Sequence, residues 1–250
     1  MKVRPLLCEL HAHTTWSDGV LSLSELVDLY GTNGFDVLAV TDHVVREDDP
    51  FAGGRRYVHP DNYGAYLDHL ADEAARAREE FDLLVIPGLE LSFNDDDPRL
   101  AGHALALGLR EFVHVDAGLE TALRQARALG VALIAAHPSP PQQLDRRRTA
   151  AFASDPGLRD LVDRFELFNR AELFAWVADS GLPGVATGDF HLPEHLATWK
   201  TLLPCAKDER AVVTYLRSSA PAFLAPLGAL PERTEGAAEE PGRVGVQVAQ

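Results

Sequence analysis

The sequence predicts an α/β barrel whose functional residues gather at the carboxyl ends of its strands. Three observations carry this expectation. Short apolar runs alternate with segments of helical periodicity along most of the 250 residues, the pattern of repeated βα units in a parallel sheet. His, Asp or Glu stands at or beside the end of one apolar run after another. Side chains drawn from so many strand ends converge most readily if the sheet closes, which favours a barrel over an open doubly wound sheet. No Gly-x-Gly-x-x-Gly follows a strand and no Walker A motif is present, which weakens nucleotide-binding alternatives.

The elements follow in order. Leu6–Leu10 reads as the first strand, and Leu21–Tyr30 as a helix with Ser22 or Ser24 as its cap and Gly31 or Gly34 near its end. Phe35–Val40 is a continuous apolar run of the kind buried parallel strands show. Residues 44–60 read as loop, and a long amphipathic helix spans about Asn62 to Glu80, with His69 on a solvated or partly packed face. Phe81–Ile86 and Ala104–Leu109 are the third and fourth strands, and the helix Leu119–Leu129 leads into Val131–Ala136. Phe165–Phe168 and Val185–Thr187 are strands separated by a helix over Ala171–Ser180. Leu202–Leu203 reads as a short eighth strand before a helix from Asp208 to Ser218. Residues 1–230 read as one domain, and residues 231–250, rich in Glu, Gly, Pro and Ala, as an acidic disordered tail.

Composition narrows the class. A hydrophobic share of 46% with 24% charged residues suits a globular protein with a sizeable core. The net charge of −15 argues against tracking a long phosphate backbone. It leaves room for a small anionic substrate, because bound divalent cations reverse the local sign in a cleft. Cys8 and Cys205 are the only cysteines, so no disulfide framework is implied and a reducing, cytoplasmic setting fits. The amino terminus has no secretory pattern, and no apolar stretch reaches the roughly 18 residues needed to span a bilayer.

The residues themselves point to metal. His11 and His13 end the first strand, and residues i and i+2 of a strand point the same way, so two imidazoles aim at a common point. Asp18 follows closely. Later runs carry Asp42-His43, Glu90, His103 and His137, and Gly-Asp189-Phe-His191 repeats the i, i+2 geometry. Imidazoles bind Zn²⁺, Mn²⁺ and Fe²⁺ alike, while carboxylates bridge adjacent cations, so a multinuclear centre is expected. His103 stands before its strand, so either that strand runs against the others or His103 lies on the connecting loop. Asp42 reads as a carboxylate that orients a liganding imidazole. His59, His114 and His195 read as surface or loop histidines, with His195 the nearest of them to the pocket.

The motifs Glu-Leu-His11-Ala-His13-Thr-Thr-Trp-Ser-Asp18-Gly, Ala-Val-Thr-Asp42-His43, Ile-Pro-Gly-Leu-Glu90, Gly-His103-Ala-Leu-Ala-Leu, Ala-Ala-His137-Pro and Gly-Asp189-Phe-His191 are together highly specific. The chain resembles the PHP superfamily, named for polymerase and histidinol phosphatase, over roughly residues 6 to 203. Within it the chain looks most like the small stand-alone metal-dependent phosphoesterases. The resemblance implies a distorted (β/α)7, TIM-like barrel with two or three divalent metals, Mn, Fe or Zn, at the C-terminal rim. It gives one metal to His11, His13, Glu90 and Asp189, a second to Glu90, His103 and His137, and a third to Asp18, His43 and His191. The domain that larger members insert between the fourth and fifth motifs is absent, since only residues 104–136 separate His103 from His137.

Such a site hydrolyses phosphate esters. Clustered cations lower the pKa of a bridging water and clamp phosphoryl oxygens, so a metal-bridging hydroxide attacking phosphorus in line needs no Ser or Cys nucleophile. The expected substrate is a small phosphate ester, a phosphomonoester before a diester, with Asp189 or His191 as proton shuttle. Asn169 and Arg170 at a strand end, Lys200, and Arg55 or Arg56 in the second loop are the candidate phosphate-binding groups. The rival readings are an amidohydrolase cutting a C–N bond, and a nuclease acting on nucleotides or short oligonucleotides. A silent metal-binding module is disfavoured by the complete ligand set. The amidohydrolases that bridge their metals with a carbamylated lysine need one on a middle strand, and Lys2, Lys200 and Lys207 are the only lysines here. Neither membrane nor extended nucleic acid is expected as a partner.

Overall fold

The computed structural model describes residues 4–49, 53–54, 56–140, 142 and 149–228. Arg55 and the acidic segment 231–250 lie outside the described residues. β1 (Leu6–Glu9) leads through α1 (Leu23–Thr32) to β2 (Val37–Val40), and β3 (His43–Val45) precedes α2 (Pro60–Phe81) and β4 (Leu84–Phe93). β5 (Gly102–Leu107), α3 (Leu119–Ala128) and β6 (Ala132–Ala136) follow, then the single turns α4 (Ala151–Ser154) and α5 (Pro156–Arg159). β7 (Arg164–Asn169), β8 (Glu172–Leu173), α6 (Ala175–Asp179) and β9 (Gly184–Thr187) complete the succession, before β10 (Trp199–Leu203), α7 (Glu209–Leu216) and β11 (Phe223–Pro226). No described helix is long and apolar enough to cross a membrane.

The strands form one curled sheet in the order β11-β10-β1-β2-β4-β5-β6-β7-β8, with β3 on β4 and β9 on β7. The β1/β2, β2/β4, β6/β7 and β7/β9 pairs are parallel. The parallel βα repeat expected from the sequence is broken at β5, β8, β10 and β11. β5 runs antiparallel to both β4 and β6. The reason is the connection: only residues 94–101 join β4 to β5, too few for the crossover that a parallel return requires. β10 likewise runs antiparallel to β1, and β11 antiparallel to β10. A hairpin-like β8 and a short α6 replace the single helix expected over Ala171–Ser180, and β3 occupies the start of the expected loop after His43.

Alternation along the strands divides the apolar residues in two. Cys8, Leu10, Val37, Ile86, Ile134 and Val185 fill the inside of the curl, where Val212 and Leu216 of α7 join them. Leu7, Leu38, Val85, Leu133 and Phe165 face the flanking helices. Ser22, one of the two caps expected for α1, forms a reciprocal capping box with Glu25, satisfying amide donors that the first helical turn leaves unpaired.

α7 is held across the amino-terminal side of β7 by Arg164, a residue almost wholly buried. Its Nε donates to Leu216 O at 2.9 Å, and Nη2 donates to the carbonyls of Tyr215, Ser218 and Ala220 at 3.1, 2.9 and 2.6 Å. A guanidinium at a helix carboxyl end meets carbonyls that have no intrahelical partner and the negative end of the helix dipole. Arg164→Met is expected to lower unfolding free energy by about 2–4 kcal/mol, since several charge-assisted hydrogen bonds go at once. Urea denaturation followed by circular dichroism measures it, and a loss below about 1 kcal/mol would mean that α7 docks by apolar contact alone.

Candidate metal centre

The rim is built around Glu90, which the long β4 carries past Gly88 to the end of the curl. Its carboxylate is fully buried, as are the imidazoles of His11 and His13. β1 delivers His11 and His13, β3 delivers His43, and His137 follows β6. His103 lies near the start of β5; because β5 runs against its neighbours, that start is at the rim, and the sequence ambiguity over this residue resolves to the reversed strand. Asp189 and His191 follow β9, where Ala12 bridges Phe190 and the amides of His13 and Phe190 donate to Phe190 O and His11 O.

Distances group these side chains. His11 Nε2 lies 3.2 Å from Glu90 Oε2 and 3.5 Å from Asp189 Oδ1. His13 Nε2 lies 3.3 and 3.6 Å from the same two oxygens. Ligand atoms about 2.05 Å from one tetrahedral cation stand about 3.3 Å apart, so these four edges outline one coordination polyhedron. Glu90 Oε1 faces His103 Nδ1 at 2.9 Å and His137 Nε2 at 3.1 Å. Asp18 Oδ1 lies 3.4 Å from His43 Nε2 and 3.1 Å from His191 Nε2, and His13 stands within the same group. His43 also touches Glu90 Oε2 through Nδ1 at 3.0 Å, so it joins the second and third groups.

Hydrogen bonds on the far side of each ring fix which nitrogen carries a proton. His11 Nδ1 donates to Glu166 Oε1 at 2.8 Å. Ser17 Oγ gives its own proton to Asp42 Oδ1 at 2.5 Å and so accepts from His13 Nδ1. His103 Nε2 donates to Asn94 Oδ1, whose amide is oriented by Asp49. Thr149 Oγ1 donates to His137 O and accepts from His137 Nδ1. In their neutral forms these four imidazoles turn a lone pair toward Glu90, acceptor against acceptor. His13 Nε2 has no hydrogen-bond partner despite being buried. Such an arrangement is repulsive unless cations stand between the atoms, and N and O donors at this spacing suit Zn²⁺, Mn²⁺ or Fe²⁺.

The side chains alone carry large mutual fields. Burial opposes charge on His11, yet Asp189, Glu90 and Glu166 hold its pKa well above the usual imidazole range. Burial and the neighbouring His191 charge push His13 down to about 4. Burial also lowers His43, to about 3. His191 goes the other way, to about 10, because Asp18 and Asp189 outweigh its burial. Burial works against ionisation of Glu90 and Asp189, but the surrounding imidazoles hold both carboxyls well below their ordinary values.

The other expected groups are placed as follows. Asp42 touches no imidazole directly: it accepts from Thr14 N, Thr14 Oγ1 and Ser17 Oγ, and reaches His13 through Ser17. Arg170 lies against the rim, its Nη2 at 3.0 Å from Asp189 Oδ2 and 2.9 Å from Asp189 O. Asn169 donates to Glu166 Oε2 at 2.8 Å. Lys200 is not at the mouth; it is fully buried, 2.9 Å from Glu9 Oε2. Arg56 is exposed. His195 accepts from the amides of His191 and Leu192.

Sequence reasoning missed Glu166. This buried carboxylate takes His11 Nδ1, the His137 amide at 2.6 Å, Thr187 Oγ1 at 2.6 Å and Asn169 Nδ2, tying two candidate ligands together. A glutamate inside the apolar run Phe165–Phe168 was the available signal. Glu166→Gln is expected to weaken Mn²⁺ binding by about 10- to 100-fold, because the amide cannot fix the His11 tautomer as the carboxylate does. Calorimetric Mn²⁺ titration of folded protein checks it, and unchanged affinity would contradict the role.

No family model matches the sequence, and no curated protein matches it. Among solved structures the chain is similar to a two-domain protein from Bacteroides vulgatus containing a "predicted PHP-like metal-dependent phosphoesterase". The TM-score is 0.63 at 18% identity, over 89% of this chain and 65% of that one, so the chain spans less than two thirds of that protein's length. It is also similar to PsfC from Pseudomonas syringae, with a TM-score of 0.55 at 14% identity, over 88% of this chain and 91% of that one. At such identities the likeness is one of fold: this chain shares with those proteins a curled, mixed α/β sheet.

Proposed function

We propose that the chain is a PHP-superfamily phosphoesterase that uses two or three divalent cations, Mn²⁺, Fe²⁺ or Zn²⁺, to hydrolyse a small phosphate ester, a phosphomonoester before a diester. The observation that carries this reading is the set of four edges, 3.2 to 3.6 Å, linking His11 and His13 to Glu90 and Asp189. We read strands β1, β2, β4, β5, β6, β7 and β9 as the distorted (β/α)7 barrel of that superfamily. Those four side chains would hold one cation; Glu90, His103 and His137 a second; Asp18, His43 and His191 a third. Bound there, the cations would acidify water and neutralise phosphoryl oxygens.

The chain's own residues do the rest. Glu90 offers one oxygen to each of two ligand groups, which sets their separation. Arg170 holds Asp189 by both its carboxylate and its carbonyl, which keeps Oδ1 turned to His11 and His13. With its side chain 38% exposed, Arg170 would also supply a cationic group to an incoming phosphate. Asp189 and His191, 3.3 Å apart, would exchange protons with water and leaving group. Asp18, His43, His137 and His191 are the most exposed of the ligand candidates, and substrate would meet the rim at these side chains.

Metal-loaded protein is expected to hydrolyse phosphomonoesters with Mn²⁺ and to stop on addition of chelator. A panel of monoesters, diesters, short oligonucleotides, amides and lactams tests this. Cleavage of an amide or lactam with no phosphate ester touched would replace this reading with the amidohydrolase one. Asp18→Ala should keep the ions around Glu90 and lose about 10² to 10³ in turnover, as for removal of a single transition-state stabiliser. Metal content and rate measured on one preparation decide it: an unchanged rate would leave the third site idle.

A further inference from the structure

Outside the ligand set, Glu9 and Lys200 form a buried ion pair. Both side chains are fully buried, 2.9 Å apart. Buried ion pairs stabilise a fold little, because desolvation consumes most of their attraction, and well-packed apolar residues often do as well. What an apolar pair cannot do is hold amide protons, and that is what this one does. Glu9 Oε1 accepts from the amides of Leu10, His11 and Gly188 at 3.1, 3.2 and 2.8 Å. Its Oε2 accepts from Tyr30 Oη at 2.9 Å. Lys200 Nζ donates to Thr198 Oγ1 at 2.7 Å and to His195 O at 3.2 Å. His195 Nδ1 in turn accepts the amide of His191 at 3.1 Å.

These contacts reach the backbone of His11, the residue before Asp189, and His191. They do so where no backbone ladder closes the sheet and the side chain of Thr201 on β10, bonded to Ala186 N and O on β9, is a neighbouring tie. β1 pairs with β2 and β10, and β9 pairs with β7, so no ladder joins β1 to β9. The Ala12–Phe190 bridge is the isolated link described between the segments that follow them. Gly188 fits because it lacks a β-carbon, which would collide with the Glu9 carboxylate and the Lys200 ammonium.

We propose that Glu9 and Lys200 are positioning residues: a buried clamp across the β1/β9 seam that fixes the separation of His11 and His13 from Asp189 and His191. The inference rests on the metal-binding reading of the rim. The clamp touches no ligand side chain; it acts through the amides that aim them. Lys200→Met leaves Glu9 unpaired and relaxes the seam, and should weaken Mn²⁺ binding by about 10- to 100-fold, the range for loss of supporting groups around a metal site. The double variant Glu9→Gln, Lys200→Met carries no uncompensated charge and keeps an acceptor for the Gly188 amide, so it should recover much of that loss.

The experiment is calorimetric Mn²⁺ titration of wild type, Lys200→Met and the double variant, with the melting temperature of each metal-free protein recorded alongside. A lowered melting temperature with unchanged Mn²⁺ affinity would overturn the clamp, since a merely structural pair does only that. If Lys200→Met does not fold, Tyr30→Phe decides. It removes one donor to Glu9 Oε2 and should weaken binding by roughly three-fold, about half of one net hydrogen bond's range; unchanged affinity there overturns the proposal. Wild-type protein that takes up no Mn²⁺, Fe²⁺ or Zn²⁺ would bring down both the metal reading and the clamp. Wild type that binds while the variants bind equally well brings down the clamp alone.

Discussion

Every feature of the rim answers to one constraint, a fully buried glutamate faced by nitrogen lone pairs. An ionised carboxylate away from water costs several kcal/mol after relaxation, and nearby positive charge is what offsets it. Glu90 has His11, His13, His43, His103 and His137 around it, yet the outer hydrogen bonds of four of these rings turn acceptors inward. Protonating every ring is no solution, since burial and neighbouring charge already hold His13 near 4 and burial holds His43 near 3. Divalent cations would resolve the conflict, and would also let so acidic a chain take the anionic substrate proposed for it.

Holding ligands at such close quarters strains the backbone. Among the described residues, four that are not glycine have positive φ: Asp82, His137, Arg170 and Asp189. Asp82 ends α2, but the other three stand at the rim, and such conformations cost about 1–3 kcal/mol each. At His137, with φ 29°, the turn lets the amide reach Glu166 while the ring reaches Glu90. At Asp189, with φ 41°, it lets Oδ1 meet the His11 and His13 rings while Phe190 returns to bridge Ala12. Glu166, Arg170 and the Glu9–Lys200 pair hold these turns in place, so the charge buried beneath the ligands is tied to the strain above it.

Much of this was legible in the sequence because candidate metal ligands announce themselves by residue type and by position at strand ends. His11, His13, Glu90 and Asp189 needed only the i, i+2 rule and an apolar run to place them. What stayed hidden depends on contacts between distant segments. The reversal of β5 was one of two options that His103 left open, and the short connection decides it only once the bounds of β4 are known. Glu166 and Glu9 each stand as one acidic residue in an apolar strand, and sequence gives no partner for either. Lys200 read as a phosphate ligand because cations near a phosphate site are common; burial beside Glu9 gives it another task. Arg164 lies far along the chain from the α7 carbonyls it caps, so no local pattern could connect them.

The central claim is that Glu90 is the shared ligand of at least two cations. The most direct measurement is elemental analysis of wild type and Glu90→Gln, purified side by side without chelator and supplied with Mn²⁺. The account predicts about two or more equivalents in the wild type and less than about one in the variant, because a neutral amide oxygen cannot serve two cations. A variant holding as much metal as the wild type, or a wild type holding less than about one equivalent, would contradict it.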